Sequence, residues 1–210
     1  MKPPLAPLPP GGTDVKWEGI SWSKFSVVRS GFREESPPFH YVTSAQATNT
    51  MLAFDRMKER GYNRIGFAGY WDKARMFGAG FLWSQHDPSS QARVPPFFFS
   101  KGVPELNQQR LFEQWLETAR PDAIFTDSSA VPDMVRKAGR QVPEDIGVAA
   151  SNVRDMDIDS GIDQNPEEIG RITTLALISL IHDGDFGIPE FTREILVRGK
   201  WVDGKSLPRR

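Results

Sequence analysis

The strongest constraint on this chain is an alternation of short apolar runs with longer stretches of helical periodicity. Arg64–Ala68 (RIGFA), Asp122–Thr126 (DAIFT) and Ile146–Ala150 have the length and composition of strands buried inside a sheet. Between them come candidate helices. Ala47–Arg60 has Ser44 as a plausible cap and Gly61 as its stop, a helical stretch runs from about Lys73 to Gln85, and Glu105–Ala119 places Phe112, Trp115, Leu116 and Ala119 on one stripe. Ala130–Ala138 ends at Gly139. Asn165-Pro166-Glu167-Glu168 has the order of a capping box opening a helix that carries Ile169, Ile172, Leu175, Ala176, Leu180 and Ile181 until Gly184. Phe25–Val28, Pro96–Ser100 and Glu194–Arg198 complete the expected strands. Such an order predicts parallel βαβ units and an α/β fold, with parallel sheets flanked by helices. In sheets of this kind ligands bind beyond the carboxyl ends of the strands, so function is to be sought in the residues just after each run.

Composition narrows the chemistry. The 210 residues include no cysteine, which excludes disulfides, thiolate metal sites and cysteine nucleophiles. With 26 basic against 27 acidic side chains there is no cationic surplus for gripping a nucleic acid. No apolar run approaches the ~20 residues a bilayer requires, so no membrane association is expected. The opening MKPPLAPLPPGG has prolines where a secretory signal would be apolar, and a cytoplasmic location is expected.

The segments after the strands carry no catalytic signature. Gly69 to Gly80 lacks both GxxxxGK[ST] and GxGxxG, and Asp127-Ser128-Ser129 is not a GxSxG elbow. His40, His86 and His182 are scattered, so neither a hydrolytic triad nor any other catalytic residue is assigned, and no enzyme activity or cofactor is expected. The run Asp155–Gly161 (DMDIDSG) suggests a calcium loop, but Ser160 stands where glycine is needed and Pro166 where the bidentate glutamate belongs. No metal site is assigned. Trp71, beside Tyr70, Asp72 and Arg75, has the makings of an aromatic platform for a flat polar ligand; a loop tryptophan capping an apolar edge is the alternative.

Five segments in order resemble the effector-binding region of the LacI/GalR family of bacterial transcription repressors. They are FDRMKERGYNRIGFAG (from Phe54), RPDAIFTDSSAVPDMVRKAG (from Arg120), VPEDIGVAA (from Val142), GIDQNPEEIGR (from Gly161) and ILVRGKWVDGKSLP (from Ile195). The resemblance implies a two-lobed, type I periplasmic-binding-protein-like fold with the first lobe truncated. On this reading residues 1–43 and 163–188 form a partial N-terminal lobe, and 44–162 with 189–210 the effector-binding lobe. It further implies a small polar effector, with a sugar as the favoured class, in the cleft between lobes, a homodimer, and operator DNA reached only through a helix-turn-helix that this sequence lacks. The helix after Asn165 is expected to expose its Ile/Leu stripe, because the implied lobe has lost half its sheet.

The pocket departs from the family. Ala45 stands where an aspartate is usual, Ser128 and Ser129 replace Asn-Asp, and Ser151 and Asn152 replace the turn Phe-Asp-Asp. Serine offers one neutral hydroxyl where a carboxylate would pair with two sugar hydroxyls. Arg75 matches the family's R-x-x-G ligand arginine if Gly78 is its glycine, with Gly80 and Phe81 offering a competing register. The residues expected to face the pocket are Trp71, Asp72, Arg75, Phe99, Asp127, Ser129 and Asn152. The rival reading is a ligand-independent dimerisation scaffold.

Overall fold

The computed structural model describes residues 19–31, 37–70, 75–86, 93–100 and 102–210. In chain order a 3-10 turn (Trp22–Lys24) precedes β1 (Val28–Ser30), β2 (His40–Ser44), α1 (Gln46–Glu59), β3 (Ile65–Tyr70), α2 (Arg75–Gln85), β4 (Phe97–Phe99) and α3 (Glu105–Ala119). There follow β5 (Ala123–Thr126), α4 (Val131–Lys137), β6 (Gly147–Ala150), β7 (Gly161–Asp163), α5 (Pro166–Asp183), β8 (Glu194–Val197) and β9 (Lys200–Val202). The chain divides into two compact units: residues 1–44 with 165–197, and 45–164 with 198–210.

The larger unit is built on a six-stranded sheet of order β4-β3-β5-β6-β7-β9, parallel except where β9 runs against β7. Strand period two sorts its side chains to the two faces. Ala68, Ile124, Val148 and Ala150 pack with Phe112, Trp115 and Leu116 of α3 and with Val131 and Val135 of α4. On the other parity Ile65, Phe67, Ala123, Phe125 and Ala149 pack with Ala53, Phe54 and Met57 of α1 and with Phe77 and Phe81 of α2. The continuous apolar runs in the sequence follow from this double coverage.

Polar contacts set the register. Asp122 accepts the N–H groups of Asn63 and Arg64 at 2.8 and 2.9 Å, tying the entry of β3 to that of β5. Arg64 in turn donates to the carbonyls of Ala119 and Arg120, closing α3 where Arg120 turns left-handed. The tail is held by Asp159, whose carboxylate accepts the N–H of Lys205 and of Ser206, each at 2.8 Å, and Leu207 beyond them is buried. One acid of the DMDIDSG run is thus a clasp for the tail, and no group of three His, Asp or Glu suited to a metal occurs among the described residues.

The smaller unit has a parallel sheet of order β1-β2-β8. Here several expectations need correcting. Residues 189–197 belong to this unit and not to the effector-binding lobe, because β8 hydrogen-bonds β2 in the register Tyr41↔Glu194 to Ser44↔Val197. The crossings fall at 44/45, 164/165 and 197/198. The first strand is Val28–Ser30, since Trp22–Lys24 coils and Val28 is the first residue to find a partner, His40. Ser44 does not cap α1; it ends a strand, and Ala45 takes the cap position without a side-chain bond. Asn165 precedes α5 in the left-handed region, φ 60°, also without a side-chain cap, and Glu168 pairs with Arg171 instead. Along α5 Leu180 is buried while Leu175 and Ile178 are exposed. No helix among the described residues is long and apolar enough to cross a membrane.

Candidate functional site

Parallel pairing aligns the carboxyl ends of four neighbouring strands in the larger unit, with Tyr70 opposite Phe99, Ala68 opposite Thr126, and Thr126 opposite Ala150. The residues leaving these strands therefore gather along one edge: Tyr70 from β3, Asp127 to Ser129 from β5, and Ser151 to Asp155 from β6.

Asp127 is fixed by its neighbour strand. Its Oδ1 accepts the Tyr70 N–H at 3.1 Å, and a Cβ on Gly69 would lie 2.6 Å from that oxygen, so the carboxylate can cross β3 only because residue 69 is glycine. Ser128 is buried and has a local task. Its N–H donates to Thr126 Oγ1 at 3.0 Å and its Oγ accepts the Ala130 N–H at 3.4 Å, which shapes the entry to α4. Ser129 is exposed, leaving its hydroxyl accessible.

The turn after β6 is tightly organised. Asn152, 8% exposed, donates from Nδ2 to Asp155 Oδ2 at 2.6 Å and accepts the Arg154 N–H on Oδ1 at 3.3 Å. Two further links bind this turn to the segment that leads out of the unit. Gln164 donates to the Ser151 carbonyl at 2.9 Å, and Arg154 donates from Nε and Nη2 to Asp163 Oδ2 at 3.1 and 3.0 Å. A polar ligand at this edge would meet hydroxyl, amide and carboxylate groups whose positions are set beforehand, which reduces the ordering entropy of binding.

Of the residues expected from sequence, Asp127, Ser129 and Asn152 come together here. Trp71 and Asp72 lie outside the described residues, and so does the side chain of Arg75, whose backbone begins α2. Phe99 is a correction: at 4% exposure it is core, packed 5.1 Å from both Tyr70 and Phe97, and its ring has no open face for stacking. Its neighbour Tyr70 is the half-buried aromatic at this edge, and its place as the last residue of a buried run was the signal available in the sequence. Arg154, Asp155 and Gln164 were also missed, because nothing local in the sequence distinguishes a turn that folds back on itself from a solvated acidic loop.

The structure also separates the two arginine registers. A Cβ on Gly78 would meet nothing within 4 Å, whereas one on Gly80 would lie 2.8 Å from Thr50 Cβ and inside contact distance of the Ala47 carbonyl. The glycine this helix requires is Gly80. Counting R-x-x-G back from it reaches Phe77, which is buried against Phe125, and not Arg75.

Residues 54–207 match the family described as periplasmic binding protein-like domain. Among curated proteins none matches the chain. Solved structures with the same fold include a LacI transcriptional regulator from a Rhodococcus species, 17% identical with a TM-score of 0.66 over 89% of this chain and 71% of that one. A LacI family transcriptional regulator from Enterococcus faecium, solved with bound ribose, is 12% identical with a TM-score of 0.63 over 87% and 70%. A periplasmic binding protein/LacI transcriptional regulator from Alkaliphilus metalliredigens, complexed with D-xylulofuranose, is 15% identical with a TM-score of 0.58 over 81% and 66%.

Proposed function

We propose, because the chain belongs to the periplasmic binding protein-like domain family, that it is the effector-sensing part of a LacI-like transcription regulator and holds a small hydroxyl-rich metabolite, a sugar, without transforming it. The observation that carries this reading is the convergence of Tyr70, Asp127, Ser129 and Asn152 at the carboxyl ends of β3, β5 and β6. Asp127 supplies a charge-assisted acceptor for ligand hydroxyls, Ser129 a rotatable donor and acceptor, and the Tyr70 ring an apolar wall. Trp71 and Asp72 stay with the reading as expectations from sequence, whereas Arg75 loses the R-x-x-G match on which it rested. The ribose and xylulofuranose held by the relatives above make pentoses the first ligands to try.

Thermal unfolding in D-ribose, D-xylulose and cellobiose tests the reading. A ligand that binds only the folded state stabilises it by RT ln(1 + [L]/Kd), about 2.7 kcal/mol at 100 Kd. At least one sugar is expected to raise the melting temperature of the chain, and Asp127→Asn to remove the rise while leaving the sugar-free melting temperature within a few degrees. No response to any of the three, or an undiminished response in Asp127→Asn, overturns the assignment. A scaffold that binds no effector is the second reading. The apolar side chains exposed on the smaller unit, Leu175, Ile178 and Phe191 among them, favour it, and it expects the first of those overturning results.

A further inference from the structure

Asn49 is a polar side chain with 1% exposure in the first turn of α1, a place where a buried amide is costly unless it is hydrogen-bonded. Its Oδ1 accepts the Gly199 N–H at 2.9 Å, from 150 residues along the chain. Residue 199 must be glycine for want of space. A Cβ there would lie 2.6 Å from Ile162 Cγ2, 2.7 Å from the Asp163 carbonyl oxygen and 3.1 Å from Asn49 Nδ2. Gly199 is thus set between α1 and the end of β7, and the next residue, Lys200, opens β9 opposite Asp163.

The end of β7 also carries the turn after β6. The Val153 N–H donates to the Ile162 carbonyl at 2.8 Å, Arg154 donates twice to the Asp163 carboxylate, and Gln164 donates to the Ser151 carbonyl. These bonds fasten Ser151–Arg154, the stretch that holds Asn152, to three consecutive residues, 162 to 164. β7 has little hold on the sheet from the other side. It meets β6 at a single register position, Ala150 opposite Gly161, but β9 at three. Its place is therefore decided on the β9 side, and β9 starts beside the residue that Asn49 holds. We propose, on the reading of the β6 turn as part of the effector site, that Asn49 is a positioning residue for that site. Through Gly199 and β9 it fixes the end of β7, and with it the turn that presents Asn152.

Amide hydrogen exchange of the full chain, resolved by residue with NMR, tests the link without any sugar. Asn49→Leu keeps the volume and removes the acceptor. It is expected to speed exchange of the Gly199 and Val153 amides roughly tenfold, the effect of losing one hydrogen bond's local protection, while the Ile124 and Phe125 amides of β5 stay unchanged. Gly199→Ala presses on Ile162 and Asp163 directly and should speed Val153 likewise, so the test stands if either variant fails to fold. Leu116→Ala weakens the same unit from the opposite face of the sheet and should speed Val153 no more than β5. The second arm takes whichever of D-ribose, D-xylulose and cellobiose raises the wild-type melting temperature most. Asn49→Leu should need roughly tenfold more of it for the same rise. Gly199 quickened without Val153, Val153 quickened only in step with β5, or an unchanged sugar requirement would each overturn the inference. A wild-type chain indifferent to all three sugars, with the selective exchange intact, counts against the site reading and leaves the link from Asn49 to the turn standing.

Discussion

Two glycines two positions apart in α2 should respond to alanine with opposite signs. Replacing a helix-interior glycine by alanine ordinarily stabilises by about 0.5–1 kcal/mol, because the unfolded chain loses freedom and the helix gains a better former. At Gly78 nothing lies within 4 Å of the new Cβ, so the whole gain should appear. At Gly80 the Cβ would stand 2.8 Å from Thr50 Cβ and 3.1 Å from the Ala47 carbonyl carbon, and α1 cannot yield cheaply there because Thr50 Oγ1 donates to the Gln46 carbonyl at 3.0 Å. Overpacking of this kind costs about 1–3 kcal/mol. The helix-propensity gain is common to both variants, so the difference between them isolates the overpacking term and should itself be about 1–3 kcal/mol. Urea unfolding of the full chain followed by circular dichroism measures both. Two variants equal within about 0.5 kcal/mol would refute the close approach of α1 and α2, and with it the argument that the R-x-x-G register is anchored on Gly80.

Two pH effects follow from named groups. Burial, the largest single influence, pushes the Asp159 carboxyl up, but the N–H groups of Lys205 and Ser206 and the Ser206 hydroxyl together hold it below its ordinary value. Its contribution is therefore complete above the unfolded carboxylate range near 3.9 and lost as pH falls through the lower folded value, so the Leu207 amide should begin to exchange faster only in that acid range. Asp159→Ala, which loses two exposed but charge-assisted bonds, should bring that exchange to neutral pH at a cost of about 1 kcal/mol. His40 is pushed below 6.5 by burial first and by the Arg193 charge second, against a smaller pull from Asp185, and its unprotonated Nδ1 accepts the Arg193 N–H at 3.0 Å. The neutral ring is the stabilising form, so its contribution is complete above about 6.5 and declines as pH drops below it; Arg193 amide exchange should quicken over that range, and His40→Phe should flatten the dependence.

What could be read from the sequence follows from where burial is complete. β3, β5 and β6 are covered on both faces and read as unbroken apolar runs, and α3 was bounded correctly because its stripe of Phe112, Trp115, Leu116 and Ala119 is long and periodic. β2 was invisible although all five of its residues are buried, because His-Tyr-Val-Thr-Ser carries three polar side chains whose burial only tertiary contacts explain. β7 and β9 are three residues each, too short for any period, and their antiparallel pairing is set by the chain's return from the other unit. The strand-end rule places Asp127, Ser129 and Asn152 just beyond β5 and β6, where the structure has them, since it needs only the strand boundaries. It misplaced Phe99 because three consecutive phenylalanines do not reveal which ring a helix covers.

The two units should not melt as one, and this tests where the effector reading places its site. Both large apolar clusters lie wholly in the larger unit, whose sheet is covered on two faces, while Leu175, Ile178, Phe186, Ile188 and Phe191 of the smaller unit are exposed. Cooperative stability follows buried apolar area, so the smaller unit is expected to open at the lower temperature and a single two-state transition to fail. A sugar held at the ends of β3, β5 and β6 stabilises the unit that contains them and raises the upper transition. A calorimetric scan with and without D-ribose thus assigns the ligand effect to its unit. If ribose moved only the lower transition, the site would have been placed on the wrong half of the chain.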